Sequence, residues 1–156
     1  MIYRELKPGE YELLKTFTYE AIFIPEGVEP PGRSIVELPE LSLYYDAFGS
    51  GAADYCIVAE DESTVVGAAW TRIMDDYGHV DNDTPSLAIS VLKEYRGQGI
   101  GTQLIQNILE ILKYKGYERV SLAVQKDNYA VRMYKRAGFR KMGENDEEYI
   151  MMCALR

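Results

Sequence analysis

Cysteine, histidine and tryptophan are scarce in this 156-residue chain: two, one and one. Cys56 and Cys153 are far apart, each inside an apolar run, and His79 is the only imidazole, so neither a zinc site nor a disulfide framework is expected. No apolar stretch approaches the roughly 20 residues needed to span a bilayer. The start, MIYRELKPGE, lacks a basic segment followed by an apolar one, so a reducing cytoplasm is the expected location. Basic residues are also in the minority: 17 Lys and Arg against 25 Asp and Glu give a formal charge of −8. A general nucleic-acid binder needs a concentrated basic surface and is disfavoured, whereas a cationic substrate is tolerated. Ordinary solubility is the simpler explanation of the same acidity.

What is present is apolar residue in quantity, 47% of the chain, enough for one globular domain over residues 1–156. No internal repeat is visible. A short strand at Ile2–Leu6 precedes an amphipathic helix near residues 10–23, carried by Leu13, Leu14, Phe17, Ala21 and Ile22. Four prolines make residues 25–39 irregular, either a plain connection or a lid over a substrate. Leu38–Phe48 reads as a second helix, ended by the GSGAAD run. Residues 55–60 and 65–73 form an antiparallel hairpin, and 75–84 reads as a solvated loop without the spacing of a calcium site.

Then come a strand at Ser86–Leu92, a helix with Ile100, Leu104, Ile105, Ile108, Leu109 and Leu112 on one face, and a strand at 119–124, which together make a parallel crossover. A helix over 128–137 and strands near 139–143 and 148–155 complete a mixed α/β (α+β) chain around one sheet.

Chemistry concentrates in VLKEYRGQGIGTQLI, Val91–Ile105, where Gly97, Gly99 and Gly101 lie between strand and helix. Glycine there lets backbone approach a ligand, and first-turn amides with the helix dipole favour an anion such as a pyrophosphate. Arg96 can add a charge-assisted contact. A P-loop would need Lys after its glycine, where Thr102 stands, and G-x-G-x-x-G would need glycine at 102, so NTPase and dinucleotide motifs are not matched. A glycine turn without ligand remains open on these residues alone.

The second constellation is NYAVRMYKRAGF, Asn128–Phe139. With RGQGIG at Arg96–Gly101, it resembles the GNAT superfamily of N-acetyltransferases, whose R/Q-x-x-G-x-G/A and N-x-A-x-x-x-Y-x-x-x-G-F patterns these two segments match. The resemblance covers residues 86–139. It implies the GNAT fold: a single mixed, mostly antiparallel sheet of about six to seven strands flanked by about four helices. It also implies acetyl-coenzyme A as co-substrate and no metal.

By the resemblance, Ile89, Ser90 and Val91 pair with the pantetheine arm while Arg96, Gly97, Gln98, Gly99, Ile100, Gly101 and Thr102 cradle the pyrophosphate, with Asn128 contacting the coenzyme. Tyr134 is the catalytic candidate, since a phenol can protonate a departing thiolate; it also fits a packing position on its helix. Many relatives place a glutamate where this chain has Ser86, so the base is unassigned, with Glu37, Glu40, Glu60, His79 and Asp83 as candidates. The implied reaction is direct attack by a primary amine of a small molecule or peptide in a ternary complex, with an amide near Val91 stabilising the oxyanion. Neither nucleic acid nor membrane is an expected partner, and there is room for a homodimer. The alternatives are an acyl-coenzyme A sensor without turnover, which the missing glutamate favours, and a nucleotide-binding regulator.

Overall fold

The computed structural model describes all residues, 1–156. Its sheet has seven strands: β1 (Ile2–Glu5), β2 (Tyr55–Asp61), β3 (Thr64–Arg72), β4 (Ser86–Val91), β5 (Arg119–Gln125), β6 (Phe139–Glu144) and β7 (Glu148–Ala154). They lie in the order β1-β2-β3-β4-β5-β7-β6, and every neighbouring pair is antiparallel except β4 with β5. Four α-helices accompany them: α1 (Leu13–Glu20), α2 (Pro39–Ser42), α3 (Ile100–Lys115) and α4 (Ala130–Ala137). This is the mixed, mostly antiparallel sheet that the resemblance implies.

The sheet has a core on each face. On one, Ile100, Leu104, Ile105, Ile108, Leu109 and Leu112 of α3 pack on Leu87, Val91, Val120, Leu122 and Met151, and Val131 and Tyr134 of α4 join them. On the other, Leu14 and Phe17 of α1 pack with Leu6, Phe48, Val58, Ala68 and Trp70. The period of apolar residues in α3 therefore decides its buried face, and Gly116 in the left-handed region (φ 94°) ends it. Cys56 and Cys153 are buried and free.

Three expectations need correction. The helix expected over residues 10–23 begins as a separate 3₁₀ turn at Pro8–Glu10, and α1 itself spans only Leu13–Glu20. The helix expected over 38–48 stops after Ser42, and the chain goes on as turns held by Arg72, whose guanidinium donates to the oxygens of Leu43 (3.0 Å), Asp46 (2.6 Å) and Ala47 (3.4 Å). The 75–84 segment is not simply solvated. Gly78 and Thr84 are buried, and Ser121 Oγ donates to Gly78 O (2.7 Å), which draws the segment down onto β5.

Candidate active site

β4 and β5 share one paired position, Ser86 with Ser121, and past it no ladder joins them. Backbone parity says what faces the opening. Leu92 N donates to Val66 O (2.8 Å) and Pro85 O accepts from Ser121 N (3.0 Å), so even-numbered β4 residues turn their backbone groups to β3 and odd-numbered ones to β5. Ile89 and Val91 therefore present unpaired amides to the gap. Ser90 does not: its backbone lies in the ladder opposite Ala68, and its hydroxyl donates to Phe17 O (2.7 Å), tying β4 to α1.

Where β4 ends, the chain turns into α3. None of the six consecutive amides from Gly97 to Thr102 makes a hydrogen bond within the protein; the first satisfied one is Gln103 N, on Gly99 O (3.2 Å). No side chain caps the helix either. Gly97 (φ 76°) and Gly99 (φ 83°) hold left-handed backbone that L-residues adopt at a cost, and a Cβ on either would meet nothing within 4 Å. Open space, a row of free N–H donors and the positive end of a 16-residue helix together suit an anion with several oxygens. A diphosphate meets that description.

The other expected cradle residues divide by what else engages them. Ile100 is buried in the core while Gln98 and Thr102 are exposed. Gly101 has a packing reason: a Cβ there would lie 3.1 Å from Met133 Sδ, so its smallness lets α4 lie against the first turn of α3. Arg96, half-exposed, donates from Nε to Val91 O (2.9 Å) and from Nη2 to Glu20 O (3.3 Å) and Oε1 (3.5 Å). Asn128 accepts the Ala130 amide on Oδ1 (2.9 Å), which organises the start of α4.

Tyr134 lies on the same face of the sheet as α3, its ring 5.7 Å from that of Phe139. It is 8% exposed, and burial alone pushes its phenol above the ordinary range. No protein group donates to or accepts from its hydroxyl. Tyr134 thus keeps a protonated hydroxyl that no protein group engages.

The opposite face carries a constellation that sequence reading missed. Side chains of paired residues share a face, so Ser86, Ser121, Gln125 and Glu148 all project to the α1 side. There Asp76 accepts hydrogen bonds from Tyr44 Oη on Oδ2 (2.9 Å) and from Ser86 Oγ on Oδ1 (3.0 Å). Burial raises the Asp76 carboxyl above its usual value, against the smaller pull of the two hydroxyls and His79. Glu148 is raised too, by burial and then by the charges of Glu147 and Asp76. The Tyr44 phenol is driven far up by burial and by Asp76.

The expected base candidates are less well placed. Glu60 is paired with Arg4 (3.0 Å) and Glu37 with Lys15 (3.6 Å), while Glu40 and Asp83 are exposed. His79, read as solvated, has its Nδ1 buried. No group of His, Cys, Asp and Glu is arranged to hold a metal ion.

Comparison with known proteins agrees with this geometry. The profile of the Acetyltransferase (GNAT) family matches residues 18–139. The chain belongs to the GNAT acetyltransferase family, whose co-substrate is acetyl-coenzyme A. Thialysine N-epsilon-acetyltransferase of Mus musculus is 31% identical over 131 residues, 71% of this chain and 70% of that protein. The uncharacterized N-acetyltransferase YobR of Bacillus subtilis is 35% identical over 86 residues, 54% of this chain; those residues span only 32% of YobR. In fold, the chain is similar to the paia N-acetyltransferase of Thermoplasma acidophilum, solved in complex with coenzyme A, with a TM-score of 0.69, 21% identity and 98% of each chain covered.

Proposed function

We propose that residues 1–156 work as one N-acetyltransferase domain that acetylates a primary amine of a small molecule or peptide. The observation that carries this is the row of free amides from Gly97 to Thr102 at the head of α3, beside a strand whose Ile89 and Val91 amides face an open gap.

The amides of residues 97–102 hold the diphosphate of the coenzyme, with Asn128 Nδ2 free to add a contact. The Ile89 and Val91 backbone aligns the pantetheine arm as a further strand would, and the Val91 amide stabilises negative charge developing on the thioester oxygen. Bound there, acetyl-coenzyme A supplies an activated acyl group. Tyr134, protonated because burial raises its phenol, donates its proton to the departing sulfur. Arg96 serves by fixing the turn through Val91 O and Glu20 rather than by meeting phosphate directly. Mouse thialysine N-epsilon-acetyltransferase, by its name, acylates a side-chain amine, and the acidic balance of this chain suits a cationic acceptor of that kind.

Tyr134→Phe tests the role of the phenol. Thiol release from acetyl-coenzyme A over a panel of amines is expected to fall about 100-fold in kcat, with coenzyme affinity unchanged. An unchanged kcat would return Tyr134 to the packing core. A wild-type protein that binds coenzyme A and releases thiol with no amine in the panel would favour the sensor instead.

A further inference from the structure

Acetyl transfer leaves one requirement unmet on the α3 face: the acceptor reaches the protein as an ammonium and attacks only after losing a proton. The β4–β5 gap starts just past the Ser86–Ser121 pair, and on the α1 face Ser86 carries a carboxylate held at both oxygens. Tyr44 Oη and Ser86 Oγ fix Asp76 at 2.9 and 3.0 Å, one on each carboxylate oxygen. Both tethers are themselves anchored. Trp70 Nε1 donates to Tyr44 O (2.9 Å), and Ser86 opens β4 at the one position paired with β5. From a loop residue with no regular structure, these contacts make a group as fixed as one on a strand.

We infer that Asp76 is the catalytic proton acceptor for the acceptor amine, with Tyr44 and Ser86 as its positioning residues. The inference rests on the acetyltransferase reading. In the step, one N–H bond of the ammonium breaks and an O–H bond forms on Asp76, while the nitrogen keeps its lone pair. That pair then forms the C–N bond to the acyl carbon as the C–S bond breaks and sulfur leaves with its electrons. The second nitrogen proton ends on sulfur by way of Tyr134, and Asp76 returns its own to solvent. The charged and titratable groups facing Asp76 are Tyr44, His79 of the 75–84 segment and Glu148 of β7. Glu148 keeps the site negative and His79 opposes it. Burial holds the Asp76 carboxyl above the usual carboxylate range, which makes it a stronger base than an exposed aspartate.

The test uses the intact chain with glycinamide and spermidine as acceptor probes. Slow hydrolysis of acetyl-coenzyme A is followed in parallel, since water must also give up a proton. Asp76→Asn is expected to lower kcat about 100-fold in whichever reaction the wild type performs, while the thermal shift produced by coenzyme A is unchanged. Tyr44→Phe and Ser86→Ala each remove a donor that stabilises the charged carboxylate, so Asp76 should titrate higher and the acidic limb of kcat/KM should move to higher pH. A ¹³C NMR titration of the Asp76 carboxyl without coenzyme should show the same upward move. If Asp76→Asn does not fold, these two variants decide the matter. Activity of Asp76→Asn within about threefold of wild type, or a limb and a titration unmoved in both other variants, overturns the inference alone. A wild-type protein that coenzyme A does not stabilise overturns the acetyltransferase reading, and the inference with it.

Discussion

Arg4 on β1 is clamped between two carboxylates, Glu10 (2.8 Å) and Glu60 (3.0 Å), with all three side chains more than three-quarters buried. Glu10 also accepts the Lys7 amide (2.9 Å), and chiefly the Arg4 contact lowers its carboxyl to about 2. A depressed folded-state pKa contributes stability that is complete above the ordinary carboxylate range and is lost as pH falls through that interval. Unfolding free energy is therefore expected to decline between about pH 4.5 and about 2, and more shallowly in Glu10→Gln, by urea denaturation at fixed pH. An equal slope in the two proteins would remove Glu10 from the account. Asp76 is the contrasting residue: read from sequence, it is one more acid in a polar run, because a loop shows no period from which burial can be judged. Only the contacts of Gly78 and Ser121 reveal that the run is pressed onto β5. The same ignorance of loop packing made His79 look solvated.

Among the elements, α3 was legible in full, since six apolar residues at helical spacing and a terminal glycine specify its face and its end. The glycine turn before it was legible too, because left-handed backbone at Gly97 and Gly99 demands that residue type. The Leu38–Phe48 segment was not, for beyond Ser42 it is a run of turns held by Arg72, a distant residue with no local signature. Arg72 pairs with Asp54 through Nε and Nη2, both at 3.1 Å, and holds three carbonyls of the 43–47 turn. Truncating one partner of a buried charged pair strands the other. Arg72→Ala should cost about 3–5 kcal/mol in denaturant unfolding, against roughly 0.5 kcal/mol for an exposed arginine. A loss below about 1 kcal/mol would mean that the 43–47 turn holds itself. Asn128 and Gly101 belong to this scale as well: both fit the family pattern, and both have structural work, turning the chain into α4 and seating it on α3.

Across the whole molecule, the sheet is a partition with one opening. The free amides of α3 and the Tyr134 phenol share one face, and Asp76 and Glu148 share the other. The β4–β5 gap lies between them, beyond the single pair Ser86–Ser121. The order of strands was readable from the sequence in outline. The gap was not, because it arises from the absence of a second β4–β5 pairing, which no residue type announces. A ligand that binds only the folded state at 100 times its Kd stabilises by about 2.7 kcal/mol, but heat alone does not say where it sits. The most direct measurement is an amide ¹H–¹⁵N titration with coenzyme A. The account expects the resonances of Gly97 to Thr102 to move most as the coenzyme saturates, together with Ile89 and Val91, whereas saturation that leaves those amides unmoved would contradict it.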